Sequence, residues 1–227
     1  MLKKAVILLL VLGCMVLTTS GTSSALGLGG LSYNIGPSFS IGAGVGFSMR
    51  DTYVIKNDDF TDEMSSSRFL IKADVAPIPY VDIYGLFGAS DLRMDNAPFE
   101  GILGTAWGVG LRPQVFPLTF MKSPFKVALD GQYAELRTRD NDIHARLSEI
   151  QVSAIVSYVM KSLAPYGGIK YDHTTVHFSG SDNDIVGDMD WGAFIGCDYF
   201  VTPNVFFNLE LSIFAETAFY LSTGYKF

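Results

Sequence analysis

From about residue 38 to its end, the chain obeys one rule. Apolar residues stand at alternate positions, and small, polar or charged residues fill the gaps. Successive side chains of a strand point to opposite faces, so such a pattern builds strands with one apolar face. Near the end, Val205, Phe207, Leu209, Leu211 and Ile213 share one face, against Asn204, Phe206, Asn208, Glu210 and Ser212. Near the start, Phe39, Ile41, Ala43, Val45 and Phe47 alternate with Ser40, Gly42, Gly44, Gly46 and Ser48.

The alternation predicts about ten strands, over 38–56, 66–77, 79–92, 99–116, 124–138, 143–160, 163–178, 186–202, 204–214 and 217–227. A tilted strand needs about 9 to 11 residues to cross a bilayer, and these segments reach that length. The connectors alternate as well. Pro77 to Pro79, Lys161 to Leu163 and Thr202 to Asn204 are short, whereas 57–66, 93–98, 137–142 and 179–187 are longer and charged. Membrane barrels pair short periplasmic turns with longer outer loops. The expectation is an all-β, closed, antiparallel up-and-down transmembrane β-barrel of ten strands with periplasmic termini. Eight strands is the alternative.

A soluble sandwich also alternates, so further signals must separate the two. Mean hydropathy is +0.28, yet beyond the N-terminus no apolar run reaches the roughly 20 residues of a membrane helix. Among 23 glycines, many sit on the polar faces, including Gly104, Gly108 and Gly110. Small residues suit a crowded barrel interior and have little use on a solvated face. Aromatics such as Phe39, Phe69, Phe125, Tyr158, Trp191, Tyr199, Tyr225 and Phe227 cluster near strand ends on the apolar face. Interfacial girdles belong there.

The first 25 residues are a separate object. Lys3 and Lys4 precede an apolar stretch from Ala5 to Leu17, and Ser23-Ser24-Ala25 fits a small-x-small cleavage site. This predicts an exported protein with a signal peptide (1–25) cleaved after Ala25, a lead-in (26–37) and one barrel domain (38–227). The alternative is a lipoprotein acylated at Cys14. Removal of the signal peptide would leave Cys197 as the one thiol, so no disulfide framework is expected. A net charge of -7 argues against a nucleic-acid partner, because phosphate backbones need a basic patch.

The end of the chain steps back by twos from Phe227 through Tyr225, Thr223, Leu221 and Phe219. This resembles the C-terminal signature of bacterial outer-membrane barrels, and the mature chain resembles the small eight- to ten-stranded families. The resemblance implies insertion in the cell outer membrane by the barrel assembly machinery, with Phe219, Leu221, Tyr225 and Phe227 as the assembly signal. Outer-membrane lipids and lipopolysaccharide are then the expected surroundings.

Some such barrels are enzymes. Asp58-Asp59 and Asp172-His173 loosely resemble the acidic and Asp-His pairs of omptin-like proteases, but a second acidic pair has no counterpart. His173, His177 and Ser179 resemble the rim residues of lipid A acylases and deacylases, and His173 and His177 share a face. Polar rim residues explain them as well. No catalytic residue, metal site or cofactor is assigned.

The polar faces carry the better lead. Arg68, Lys72, Asp74, Arg112, Lys126, Asp130, Glu149, Lys170, Asp198 and Glu210 stand at inward positions, as do Asp82, Asp172, Asp190 and Lys226. Buried charges must be paired. These residues predict a lumen filled by an interlocked charge network, with a structural or surface-interaction role through outer loops. A small-solute channel and a rim enzyme are the alternatives.

Overall fold

In the computed structural model, residues 38–54, 57–78, 80–95, 99–116, 124–179, 185–187 and 190–227 are described. The stretches read as signal peptide and lead-in lie outside them. The strands are β1 (Ser38–Val54), β2 (Asn57–Ile78), β3 (Val81–Met94), β4 (Phe99–Phe116), β5 (Phe125–Asp140) and β6 (Ile143–Tyr158). They continue with β7 (Leu163–Phe178), β8 (Ile185–Gly187), β9 (Trp191–Phe200), β10 (Val205–Ile213) and β11 (Thr217–Lys226).

Each long strand pairs antiparallel with its sequence neighbour, and β9 follows β7 directly. The ring closes where β1 meets β11, in unbroken register from Ser40↔Lys226 to Met49↔Thr217. The Phe227 N–H extends this seam by donating to the Phe39 carbonyl at 2.9 Å. Ten strands, β1–β7 and β9–β11, therefore form a closed antiparallel barrel.

The eleventh strand adds a second closure. β8 pairs with the end of β1 at Thr52, Tyr53 and Val54, and with β7 at Thr175 and Val176. Both contacts lie beyond the reach of β9, β10 and β11, whose pairing stops at Tyr171 on β7 and Met49 on β1. At the end away from the termini, one strand thus replaces three. A ten-stranded tier carries an eight-stranded tier made of β1–β8.

Two sequence expectations are corrected. Residues 57–66 were expected to be a loop, but they extend β2 to 22 residues and pair with β1 as far as Val54↔Asn57. The ladder with β1 takes up the backbone from Thr61 to Ser66, and the register shifts between Tyr53 and Val54. Residues 186–202 were expected to be one strand. They divide into β8 and β9, because β8 crosses to β1 whereas β9 pairs with β10.

The apolar set faces outward. Phe39, Ile41, Phe69, Ile71, Phe87, Leu103, Val109, Val152, Ile169, Ile195 and Leu211 are all exposed. Such residues recur on the outward face of every long strand, where a soluble monomer would expose far fewer large apolar side chains. Aromatic pairs border this apolar band. Phe39–Phe227 at 5.4 Å and Phe125–Tyr158 at 4.9 Å lie near the termini, and Trp107–Tyr133 at 5.6 Å and Tyr171–Trp191 at 5.4 Å lie at the other edge. An apolar exterior between aromatic girdles, around a polar interior, is the construction of a transmembrane barrel.

Candidate functional site in the lumen

Alternation turns every second side chain of each strand into the barrel. Arg68, Asp74, Arg112, Asp130, Glu149, Lys170, Asp198 and Glu210 are buried there. Lys72, Lys126 and Lys226 keep partial exposure toward the end that holds the termini. Two groups of contacts can be followed among them.

The first group lies in the ten-stranded tier. Arg112 on β4 donates through Nε to Asp130 on β5 at 2.6 Å. The Tyr84 hydroxyl donates to the other oxygen of Asp130 at 2.7 Å and lies 3.1 Å from Gln132 Oε1. Lys72 stands over the Tyr84 ring, 4.1 Å from its centroid, and 3.7 Å from Asp74. Further round the wall, the Tyr166 hydroxyl donates to Glu210 at 2.8 Å, and Asn208 bridges to Asp198 at 2.7 Å. Two glycines make room for these rings. A Cβ at Gly110, paired with Tyr84, would stand 2.2 Å from the ring, and one at Gly196, paired with Tyr166, 2.3 Å. The rings lie flat across the neighbouring strand, a position only glycine allows.

The second group lies under β8. Arg50 on β1 donates to Asp172 on β7 and to Glu216, each at 2.9 Å, and stands 3.3 Å from Glu149 on β6. It also binds Thr174. Arg68 holds the other oxygen of Glu149 at 3.0 Å, and Lys170 binds Glu216. Three carboxylates thus meet three cations, all buried. Glu149, Asp172 and Glu216 are close enough together to suggest a metal site. Arg50 and Lys170 already supply the positive charge there, so the donor set does not fit a divalent ion.

An apolar cluster lies in the lumen toward the eight-stranded tier. Met64, Leu70, Leu86, Leu92, Met94, Phe99, Leu136, Leu147, Val176 and Ile185 are buried together, with Phe178 packed on them. Ile185 belongs to β8, so the extra strand is part of this plug.

Several sequence readings change. Arg50 was missed, although it continues the inward period of Ser48. Glu216 sits in the turn after β10, where no periodicity points. Asp190 was read as inward, but its carboxylate reaches the outward Tyr171 at 3.1 Å and His173 at 3.3 Å, because it precedes β9 and escapes its alternation. The supposed Asp172-His173 pair is divided by the wall. Asp172 faces the lumen with Arg50, and His173 faces outward with Asp190. His173 and His177 share the outer face, but four residues of strand separate them by about 13 Å, too far to share a ligand. Ser179 accepts the His144 backbone N–H at 2.9 Å. The side chains of Asp58 and Asp59 lie outside the described residues.

Comparison with known proteins finds no matching family model and no matching curated relative. Solved structures do match. The outer membrane protease OmpT from Escherichia coli is 12% identical, with a TM-score of 0.47, covering 87% of this chain and 99% of that one. An outer membrane channel from Pseudomonas putida F1 is 8% identical, with a TM-score of 0.46, covering 92% and 100%. Ail from Yersinia pestis is 12% identical, with a TM-score of 0.44, covering 85% and 99%. The activities in these names belong to those proteins.

Proposed function

We propose that this protein is a plugged outer-membrane barrel with a structural or surface-interaction role. In this reading it is exported by a signal peptide cleaved after Ala25 and inserted by the barrel assembly machinery, which reads Phe219, Leu221, Tyr225 and Phe227. Both termini face the periplasm, and lipopolysaccharide surrounds the other end. Strands β1–β7 overrun the apolar band at that end, and the wall they raise presents the outer hairpins. No catalytic residue or cofactor is part of this reading: among the described residues, Asp172 faces Arg50 in the lumen while His173 faces outward with Asp190.

The observation that supports it is the set of buried side chains lying across the lumen. The Arg50 group and the Leu70–Leu136–Ile185 cluster lie across the interior with their side chains buried. Eight-stranded barrels are filled by side chains, and open channels belong to much wider ones. The expected result is a heat-modifiable outer-membrane protein that stays silent in a planar bilayer. Steady conductance from correctly folded protein would sink the proposal.

A further inference from the structure

Among the described residues the lumen accounts for most buried charge, but one buried carboxylate, Glu135, faces the other way. Glu135 on β5 stands at an outward position with its side chain only 2% exposed. It accepts from Arg137 Nε at 2.7 Å and from Arg146 on β6, and the Tyr133 hydroxyl lies 3.2 Å away. Arg137 and Arg146 are directly paired across the two strands, with side chains 64% and 54% exposed. Like charges directly opposite one another destabilise a sheet. One carboxylate beneath two guanidiniums fixes their positions but leaves a positive excess. Arg139, opposite His144, adds to it one row further on, and His177 is opposite Arg146. At the rim the Glu100 backbone N–H donates to the Asp140 carboxylate at 3.2 Å.

The height of the pair matters as much as its charge. The girdle residue Tyr133 packs on Trp107 at 5.6 Å. Arg137 is four residues further along β5, about 13 Å along the strand, and roughly 10 Å along the membrane normal for a strand tilted by about 40°. That is the headgroup layer next to the hydrocarbon core. Two guanidiniums held side by side match a phosphate, which they bind bidentately. We infer that Arg137 and Arg146, set by Glu135, form a site on the outer wall for the phosphate of an outer-leaflet glycolipid. The lipid source is favoured over free phosphate by what lies below: Tyr133, Ile150 and Val152 continue the outward face and offer a track for acyl chains.

This inference rests on the outer-membrane placement proposed above. The test uses the full barrel folded in detergent, with native mass spectrometry of added bis-phosphorylated lipid A. Wild-type protein is expected to retain the lipid. The double variant Arg137→Ala/Arg146→Ala should bind it more weakly by at least about tenfold, the loss of charge-assisted hydrogen bonds. Arg93→Ala, an exposed arginine elsewhere on the wall, should bind as wild type does. Dephosphorylated lipid A should bind poorly, and millimolar inorganic phosphate should not displace the lipid. Equal binding by the double variant or by dephosphorylated lipid overturns the site, and displacement by inorganic phosphate overturns the lipid as its occupant. Cell fractionation reads the placement separately: a variant that folds and reaches the outer membrane but still binds lipid A fully defeats this inference alone.

Discussion

One side of the barrel is tall and the other is short. On the tall side, β1 to β7 run 14 to 22 residues. On the short side, β9, β10 and β11 run 9 or 10 residues, just enough to cross the apolar band. The turn from β10 to β11 therefore ends near the level of Trp191. Its Phe214 is exposed, with φ at 79°, and its Glu216 is buried in the lumen. Above it, β8 spans the gap left by the three short strands. The difference teaches that a barrel can change strand number along its axis. The short strands lower a turn into the interior, where its carboxylate completes a charge cluster, and the strap above shields that cluster from water.

The largest effect is expected where the two sides are locked together. Arg50→Ala would leave Glu149, Asp172 and Glu216 facing only Arg68 and Lys170. Removing one partner from a buried ionic cluster costs on the order of 3–5 kcal/mol, and urea unfolding followed by heat-modifiability should show that loss. If Arg50→Ala unfolds like wild type, the cluster does not join the two sides.

A smaller effect is expected in the ten-stranded tier. Gly110→Val would drive a side chain into the Tyr84 ring, and such overpacking costs about 1–3 kcal/mol. Gly131→Val is the matched control, since a Cβ there would meet nothing within 4 Å. Equal stability of the two variants would refute the close approach of ring and strand.

Replacing Ile185–Gly187 with a Gly-Ser-Gly segment should cost less still, because the ten-stranded ring closes without β8. Its signature should be functional: small conductance steps in a planar bilayer from a barrel that remains heat-modifiable. A silent variant would locate the seal in the side-chain plug and not in the strap. Least of all, Arg137→Ala should change unfolding by less than about 0.5 kcal/mol, as for most exposed ion pairs. A larger loss would make the Glu135 group a structural clamp.

Much of the barrel was readable residue by residue. The inward placement of Arg112 and Asp130, and the outward placement of Trp107 and Tyr133, follow from alternation alone. Arg50 was readable by the same rule carried two residues past Ser48. The apolar plug also left a trace, for Leu70 breaks the polar face between Arg68 and Lys72 and packs into the lumen. Other features left none. Glu135 stands at an outward position and is buried among Arg137, Arg146 and Tyr133, with Trp107 opposite it on β4.

What the sequence determined by itself is most of the wall: its ten long strands, which face of each points outward, and which strand side chains enter the lumen. Period two is a local property of the extended backbone, so a single segment suffices to read it. What the tertiary structure alone decided is who meets whom inside. Arg112, Asp130, Glu149 and Lys170 look equivalent along the chain, yet the first two pair together and the last two join Arg50 and Glu216. Those partnerships depend on strand tilt and stagger and on where each strand stops. Closure of the ring sets these quantities, and no segment carries them alone.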